Sequence, residues 1–559
     1  MKKILIGFFG VSLFLVSCST IQQQMGKVAL KLMTKKEKDF SQMAVIGKYE
    51  RNLYPADVGI STLGTEDWEA GQNAVGVQFV KPEGGIGVIA LDGTVTVDGV
   101  EAKSYGGGVY MILTDHEDTS PKTVRVENAD GQVSEFTISA APEVTIKSIN
   151  GKTEGAEVNL AEPLELELEY SSSAKGKRVQ VALITSAVGA KGFAYFQSVP
   201  LQNKVTIPAD AFKHKHINGG SPTGKDVTNW VKGENHLQVS IIDEDRDVDS
   251  GAFPYFKKRG VTYDTVPVTV TGDTEGRSYV RIKGDVEAPN GKFKYEASSS
   301  NAWYARPLNS NISRIGIASL SVEGVLFKQE TNENTTDYGS YKVITTTTTT
   351  WQFPQLDDEY WNQFLENIYS DLTAMLETDY GANVVDVDQI TANPVYEKFY
   401  EPKDENTEKY ISKNLRDTKR LIPSSLGELL ESRTTALVAD GGPVPTLLRD
   451  MNMDALMNIS IDYRVASDNN DKIVLLPMVS YQITGETQAF DGTTNTWIQG
   501  TIQGPGVPFT REEFTDLNAL NRIGQKDIIV NLIKQSIEEL TSKQAEFGYD
   551  KVWNVALSN

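Results

Sequence analysis

The spacing of apolar residues divides the 559-residue chain into regions of different pattern. From about Tyr49 to Ala141, and again from Pro142 to Thr271, short apolar runs alternate with polar residues between turn-forming sequences. Alternation with a period of two is typical of strands with one buried face, and turn signals about every 8–12 residues are typical of β-sandwiches. The pattern predicts two Ig-like β-sandwiches, at residues 49–141 and 142–271.

Two segments give the sharpest strand predictions. Leucine and glutamate alternate without a break from Leu164 to Glu169, which predicts a strand with leucines on one face and carboxylates on the other. Earlier in the chain, the segments 123–127 and 133–138 flank the turn sequence Asn128 to Gly131. This arrangement predicts a β-hairpin.

The pattern changes again after residue 271. Residues 272–312 are polar and predict a linker with room for one hairpin. The predicted strands beyond it lie at 315–320, 341–351, 384–387, 455–465 and 473–484. One predicted helix spans 361–376, and another spans 527–540. Between them, a third predicted helix begins at a capping box formed by Ser425 and Glu428. Helices interspersed among strands predict an α/β (α+β) domain at 313–559.

The first 18 residues carry a targeting pattern. Lys2 and Lys3 precede a short apolar run that ends in Leu15-Val16-Ser17-Cys18, and Cys18 is the only cysteine. A helix that crosses a bilayer takes about 20 apolar residues, so this run is a secretory signal by length. It resembles the lipobox of bacterial lipoproteins, which implies removal of residues 1–17 and fatty acylation, such as palmitate, at Cys18. The alternatives are an ordinary cleaved signal peptide and an uncleaved anchor.

The residues after Cys18 bear on location. Ser19 follows it where an aspartate would, by analogy with lipoprotein sorting, imply retention in the inner membrane. The resemblance therefore implies the outer membrane, and a periplasm-facing orientation, because no acidic export cluster follows. Residues 18–48 are predicted to be a tether, with a basic amphipathic helix at 21–43 that lies on the membrane or packs on the next domain.

Charge excludes one class of partner. The chain has 54 Lys and Arg against 75 Asp and Glu, a formal charge of −21. A nucleic-acid binder depends on positive charge against phosphates, so no nucleic acid is expected. The same negative charge is repelled by anionic lipid headgroups, which leaves the lipid at Cys18 as the predicted attachment to the membrane.

The C-terminal pattern also supports a resemblance. The run Ile315 to Ala318, the 361–376 helix, the short strand at 384–387 and the strand entered by 453–457 follow one another. Their order resembles a periplasmic α/β fold shared by the curli-secretion lipoprotein, lipoprotein activators of penicillin-binding proteins, and the N-terminal domain of the Tol-system translocation protein. The resemblance covers about residues 313–545 and implies an interaction module in envelope assembly. It transfers no functional residue.

An acidic cluster is the sharpest candidate for metal chemistry. It consists of Asp243, Asp245, Asp247 and Asp249. Calcium takes several oxygen ligands, and alternate aspartates in a loop supply them. Asp245, Asp247 and Asp249 have the 1, 3 and 5 spacing of an EF-type site. However, Ser250 stands where such a loop has glycine, and Phe256 where it has a bidentate glutamate. The alternative is a solvated acidic loop that leaves a strand ending at Ile242.

Three further motifs have simpler interpretations. The segment Gly219 to Asp226 is close to a phosphate-binding loop, but Asp226 replaces the hydroxyl residue, so a surface loop is expected. His214 and His216, with His236, are zinc candidates, although an exposed basic loop is the expected structure. Thr345 to Thr350 predict an edge or hairpin strand, with a partner or glycan contact as the alternative.

These observations predict a lipid-anchored cell-envelope protein that acts as a non-enzymatic interaction or assembly module. The chain shows no recognised nucleophile, metalloprotease or carboxylate-pair motif. The expected partners are the membrane, through the N-terminal lipid, and another envelope protein. No cofactor is expected, apart from calcium at the acidic cluster. The alternative function is a lipoprotein that captures a ligand or glycan.

Overall fold

The structure is a computed structural model of a β-rich chain with several sheets and helices toward its C-terminal end. Strands make up 52% and helices 22% of it. The described residues are 34–54, 68–80, 88–187, 190–195, 198–214, 217–218, 232–245, 252–274, 279–300, 302, 305–306, 308, 312–325, 327–399, 401, 410–421, 442–468, 472–486, 494–513 and 517–556. Cys18, Asp247, Asp249, His216, the segment 219–226 and the helix predicted from Ser425 lie outside these residues.

The first ten strands occupy residues 34–138. They are β1 (Thr34–Glu37), β2 (Ala44–Arg51), β3 (Asn73–Val80), β4 (Val88–Leu91), β5 (Gly93–Val97), β6 (Val100–Glu101), β7 (Lys103–Gly106), β8 (Val109–Thr114), β9 (Lys122–Asn128) and β10 (Val133–Ile138). The predicted hairpin around residues 128–131 is confirmed, because β9 and β10 pair antiparallel from Lys122–Ile138 to Glu127–Val133.

The next ten strands occupy residues 144–271. They are β11 (Val144–Ile149), β12 (Glu157–Asn159), β13 (Leu164–Tyr170), β14 (Arg178–Ala187), β15 (Ala190–Tyr195), β16 (Val199–Pro200), β17 (Lys204–Ile207), β18 (Ile217–Asn218), β19 (Gly233–Asp245) and β20 (Tyr255–Thr271). In β13 the leucines are buried and the glutamates exposed, as the alternation predicts.

One 13-stranded sheet joins both regions. Its main order is β1-β4-β3-β2-β20-β19-β14-β15-β18, and the junction is the parallel pairing of Ala44–Arg51 with Tyr255–Thr262. The sheet therefore continues across the boundary predicted between residues 141 and 142. Alternation along each strand could not reveal this pairing, because it joins residues more than 200 positions apart.

Two smaller sheets pack on this large sheet. The four-stranded sheet β10-β9-β5-β6 and the three-stranded sheet β11-β13-β17 each bury one apolar face. Val124 and Val126 of β9 share a core with Tyr49 and Val75 of the large sheet. Leu166 of β13 belongs to a second core with strands β14 and β19. The N-terminal half is thus built of packed β layers.

The basic helix predicted at 21–43 is wrong for the residues that the structure describes. Residues 34–37 form β1, which pairs parallel with β4, and Phe40–Gln42 form one 3-10 turn. The backbone of β1 gains sheet hydrogen bonds in this register, while Lys35 and Lys36 keep their side chains in water at 75% exposure. Sheet pairing therefore overrides local helical spacing, which is a weak indicator.

The C-terminal region carries the last eleven strands and the helices. The strands are β21 (Tyr279–Ala288), β22 (Gly291–Ser300), β23 (Arg314–Val325), β24 (Phe327–Asp337), β25 (Lys342–Gln352), β26 (Asn383–Val385), β27 (Tyr410–Asn414), β28 (Ala455–Ser467), β29 (Ile473–Glu486), β30 (Thr494–Gln503) and β31 (Val507–Pro508). The helices are α1 (Asp358–Tyr380), α2 (Val387–Thr391), α3 (Pro443–Asp450), α4 (Leu517–Ile523), α5 (Lys526–Glu546) and α6 (Tyr549–Ala556).

A nine-stranded sheet organises this region, in the main order β21-β22-β30-β29-β28-β23-β26. Helices α1 and α5 pack on one face, where Ile368 and Ile533 share a core with Ile317 and Ile459. The predicted helices at 361–376 and 527–540 are confirmed, and α1 ends at Gly381 with a left-handed φ of 66°. Glycine adopts this conformation without a Cβ clash, so it ends the helix.

The residues predicted as a linker contribute two of these strands. β21 and β22 form a hairpin, and β22 pairs with β30 from Lys294–Gln503 to Ser299–Ile498. The hairpin is therefore part of the C-terminal sheet. Its polar composition has a physical reason, because β21 is an outer strand of that sheet and exposes alternate side chains.

Candidate interaction surface

One element departs from the layered architecture, and we call it the ribbon. It consists of β24 and β25, residues 327–352, which form a separate two-stranded sheet. The two strands pair antiparallel in continuous register from Phe327–Gln352 to Asp337–Lys342. The ribbon begins two residues after Val325, the last residue of β23, and so extends from the end of a central strand of the C-terminal sheet.

The sequence explains why these residues form strands. β25 contains Val343, Ile344 and the six threonines Thr345 to Thr350, all of which are β-branched and favour extended backbone. The hydroxyl oxygens of Thr331 and Thr348 lie 3.3 Å apart across the ribbon. The prediction of an edge or hairpin strand for the threonine run is confirmed.

The ribbon is exposed on both faces. Every residue from Gln329 to Thr350 is exposed, and only the base contacts the body of the protein. Two-stranded ribbons are at best marginally stable alone in water. Each strand also has an outer edge, where alternate N–H and C=O groups point away from the partner strand.

The tip of the ribbon is apolar and aromatic. The rings of Tyr338 and Tyr341 stack with their centroids 5.0 Å apart and an interplanar angle of 21°. Both tyrosines are more than half exposed, and Ile344 is 63% exposed. Gly339, at a φ of 79°, makes the turn, and its N–H donates to the carboxylate of Asp337 over 2.8 Å.

The base is anchored and bordered by a cleft. Trp351 is buried, and the ammonium of Lys328 lies 5.2 Å from the centroid of its ring. A cleft of about 430 Å³ lies beside it and is lined by the segment 323–325, Phe327, Lys328, Asp462, Arg464 and Val465. The Arg420 guanidinium lies 2.8 Å from the Glu323 carboxylate, which fixes one wall.

The acidic cluster does not form the predicted loop at its first two members. β19 extends through Asp245, with Asp243 opposite Gly260 and Asp245 opposite Lys258. The Asp243 carboxylate lies 2.9 Å from the ammonium of Lys177. Within the described parts of the chain, no group of three or more His, Cys, Asp or Glu side chains could hold a metal ion. The loop prediction is wrong for Asp243 and Asp245, because β20 provides a pairing partner that extends the strand.

The prediction that His214 lies in an exposed loop is also wrong. Its side chain is fully buried beneath the C-terminal helix α6, where Nε2 lies 2.6 Å from the carbonyl oxygen of Phe547. The ring packs edge-on against Tyr549, with the centroids 4.5 Å apart. Burial lowers the pKa of His214 to about 4, although the Phe547 carbonyl and Asp210 act in the opposite direction. His236 lies in β19, opposite Pro267.

The sequence indicated the threonine strand of the ribbon but missed the rest. The predicted strand at 341–351 included Tyr341 and Ile344, but not as contact residues. Tyr338 and the partner strand β24 were not predicted. A usable signal existed, because the turn sequence Tyr338-Gly339-Ser340-Tyr341 lies between two Thr-rich segments of equal length. Exposure on both faces could not be inferred from that pattern.

Comparison with known proteins adds little. No family model matches the chain, and no curated protein matches it. A chain from a 1.5-MDa bacterial ice-binding adhesin, studied for its retention at the host cell surface, is 10% identical, with 56% of this chain and 98% of that chain covered and a TM-score of 0.12. A Ca²⁺-stabilised adhesin with which an Antarctic bacterium binds ice is 9% identical, with 83% and 99% covered and the same TM-score of 0.12. A TM-score this low carries no argument about fold or function.

Among the residues that the structure describes, no helix combines the length and apolarity needed to cross a bilayer.

Proposed function

We propose that this protein is a lipid-anchored component of the bacterial cell envelope that acts without catalysis, by contact with another envelope protein through the ribbon. The observation that carries this proposal is the exposure of every residue from Gln329 to Thr350. A regular element of this length with two open edges and an aromatic tip has the properties of a protein-binding element.

The chemistry of the tip supports a binding role. Tyrosine is enriched at protein interfaces because its ring buries a large apolar area while its hydroxyl keeps a hydrogen-bond partner. Tyr338, Tyr341 and Ile344 place three large side chains at the end of the ribbon farthest from the body. Such exposure is costly in water and is offset when a partner covers the patch.

The remaining parts of the protein would hold this element away from the membrane. In the proposal, acylated Cys18 attaches the mature chain to the outer membrane on its periplasmic side. The packed β layers of residues 49–271, proposed as Ig-like sandwiches, act as spacers. The region from residue 313 is proposed to adopt the periplasmic α/β fold of envelope interaction modules, with the ribbon as its contact element.

Site-specific photocrosslinking tests this function in cells that produce the full chain. A photoreactive amino acid at Ile344, which is 63% exposed, should yield adducts with a protein of the envelope fraction. The matched control is Val100, which is 59% exposed and lies in β6 of the N-terminal half. Adducts at Val100 alone, or adducts at neither position, would contradict the proposal.

A further inference from the structure

We propose that the strand that pairs with the ribbon is the β25 strand of a second copy of this chain, in antiparallel orientation. The two ribbons would form one four-stranded sheet in the order β24-β25-β25-β24. This inference rests on the proposed function, because it names the partner of the same element. It is carried by the difference between the two edges of the ribbon.

The β24 edge carries the charges that protect exposed strands. Lys328, Glu330, Glu333 and Asp337 are distributed along it, whereas β25 has no charged residue between Val343 and Trp351. Charged side chains are a common means by which proteins prevent edge-to-edge pairing. The β25 edge therefore remains open to another strand along nearly its whole length.

The outer strand β21 of the C-terminal sheet shows the protected alternative in the same molecule. Arg281, Lys283, Asp285 and Glu287 recur at every second position of that strand. Arg281 and Lys283 form ion pairs with Glu296, and Lys292 pairs with Asp285 and Glu287. The lack of comparable charges distinguishes β25 from β21.

The charge of the whole molecule limits where two copies can meet. Each chain has a formal charge of −21, so two copies repel each other wherever carboxylates approach closely. A β24–β24 contact would place Glu330, Glu333 and Asp337 of the two copies near one another, and like charges across strands are destabilising. A β25–β25 contact places threonines opposite threonines, and it raises the ribbon from two strands to four, the range in which sheets are stable on their own.

Steric considerations determine the orientation. Neighbouring strands lie about 4.8 Å apart, so parallel pairing would bring both bodies to the same end and they would collide. Antiparallel pairing places the bodies at opposite ends of a strand of 11 residues, which is about 37 Å long at about 3.4 Å per residue. The apolar tip of each copy, at Tyr341 and Ile344, then lies beside Trp351 and the base cleft of the other.

Cysteine crosslinking in cells that produce the full chain tests the pairing. Thr347 is the midpoint of the uncharged segment 343–351, so in a centred antiparallel pair it faces Thr347 of the other copy at a Cα distance of about 4.5–5.5 Å, within disulfide range. Thr347→Cys should therefore give a disulfide-linked species of twice the chain's mass under mild oxidation. Thr345→Cys and Thr349→Cys report a shift of register along the threonine run.

The matched control is Asn332→Cys, since Asn332 is the ladder partner of Thr347 and is equally exposed, but lies on β24. It should remain monomeric, because the two β24 strands are about 14 Å apart in the four-stranded sheet. The parent chain controls for crosslinks through Cys18. Equal dimer yields from the β24 and β25 positions, or no dimer from any β25 position, would overturn the inference.

A charge variant separates this inference from the proposed function. In the chain that carries the photocrosslinker at Ile344 and no engineered cysteine, Thr347→Lys places two ammonium groups opposite each other and should abolish the crosslinked product of twice the chain's mass, whereas Asn332→Lys should retain it. If the photocrosslinker at Ile344 captures only a different protein, the second-copy inference fails and the proposed function stands. If it captures nothing, both fail. A product of twice the chain's mass that contains only this chain supports the second-copy inference and the ribbon as the contact element.

Discussion

At the scale of single residues, His214 shows how burial couples protonation to folding. Its Nε2–H donates to the Phe547 carbonyl oxygen, and buried Nδ1 has no hydrogen-bond partner. Protonation would place a second N–H at Nδ1 with no acceptor. The neutral imidazole is therefore the form that the folded protein holds.

The free energy of unfolding should fall as the pH decreases from about 6.5 to about 4. In that interval the unfolded chain binds a proton at His214, but the folded chain, with a pKa of about 4, does not. The loss amounts to about 3 kcal/mol at the acid end of the interval. Chemical denaturation of the parent and of His214→Gln at several pH values measures it, since the difference between the two isolates this residue from the carboxylates.

His116 provides the control for that measurement, because its side chain is 71% exposed. The free energy of unfolding of His116→Gln should equal that of the parent at every pH. If His214→Gln and the parent lose stability in parallel between pH 6.5 and pH 4, then burial of His214 is not coupled to its protonation.

The acidic residues at the end of β19 show a second effect at this scale. Asp243 and Asp245 share one face of β19, and Glu244 points to the opposite face, where its carboxylate lies 3.5 Å from the ammonium of Lys257. Strand geometry thus separates carboxylates that are adjacent in sequence. Calcium binding at the cluster remains a prediction, which calorimetry with the double variant Asp245→Ala, Asp247→Ala tests.

At the scale of elements, the ribbon and the body should be energetically separate. Replacing residues 330–349 with Asn-Gly removes only exposed residues, and the flanking residues Gln329 and Thr350 are ladder partners that a two-residue turn can join. We expect the free energy of unfolding to change by no more than about 0.5 kcal/mol, as for surface substitutions. Denaturant titration measures this.

Trp351→Ala is the contrasting variant in the same element. Trp351 is 8% exposed at the base, so its truncation should cost about 3–5 kcal/mol. If shortening the ribbon greatly lowers the free energy of unfolding, or if Trp351→Ala leaves it unchanged, the boundary between ribbon and body lies elsewhere.

At the scale of the whole molecule, attachment to the envelope should depend on the sulfur atom of Cys18. We expect Cys18→Ala to move the protein from the envelope pellet to the supernatant, because each acyl methylene buried in lipid contributes about 0.8 kcal/mol and the variant has no acyl chain. Fractionation and immunoblotting measure the shift, with Ser19→Ala as the control. Recovery of Cys18→Ala in the envelope pellet would contradict the proposed anchor.

The sequence by itself determined the features that depend on neighbouring residues. Alternation identified β13 and the β9–β10 hairpin, the apolar stripe identified α1, and the β-branched run identified β25. These elements could be predicted because strand and helix periodicities are properties of short segments. The basic helix failed for residues 34–43 because its outcome depended on pairing with β4, outside the segment itself.

Only the tertiary structure decided which elements meet. The β2–β20 pairing joins the two N-terminal regions, and the β22–β30 pairing brings the polar hairpin into the C-terminal sheet. The hydrogen bond of His214 goes to the Phe547 carbonyl, 333 residues further along the chain. The exposure of the ribbon belongs to this class as well, because a threonine strand has the same pattern whether a neighbour covers it or not. Long-range pairing depends on the shape and free edges of the whole chain, and no short segment contains that information.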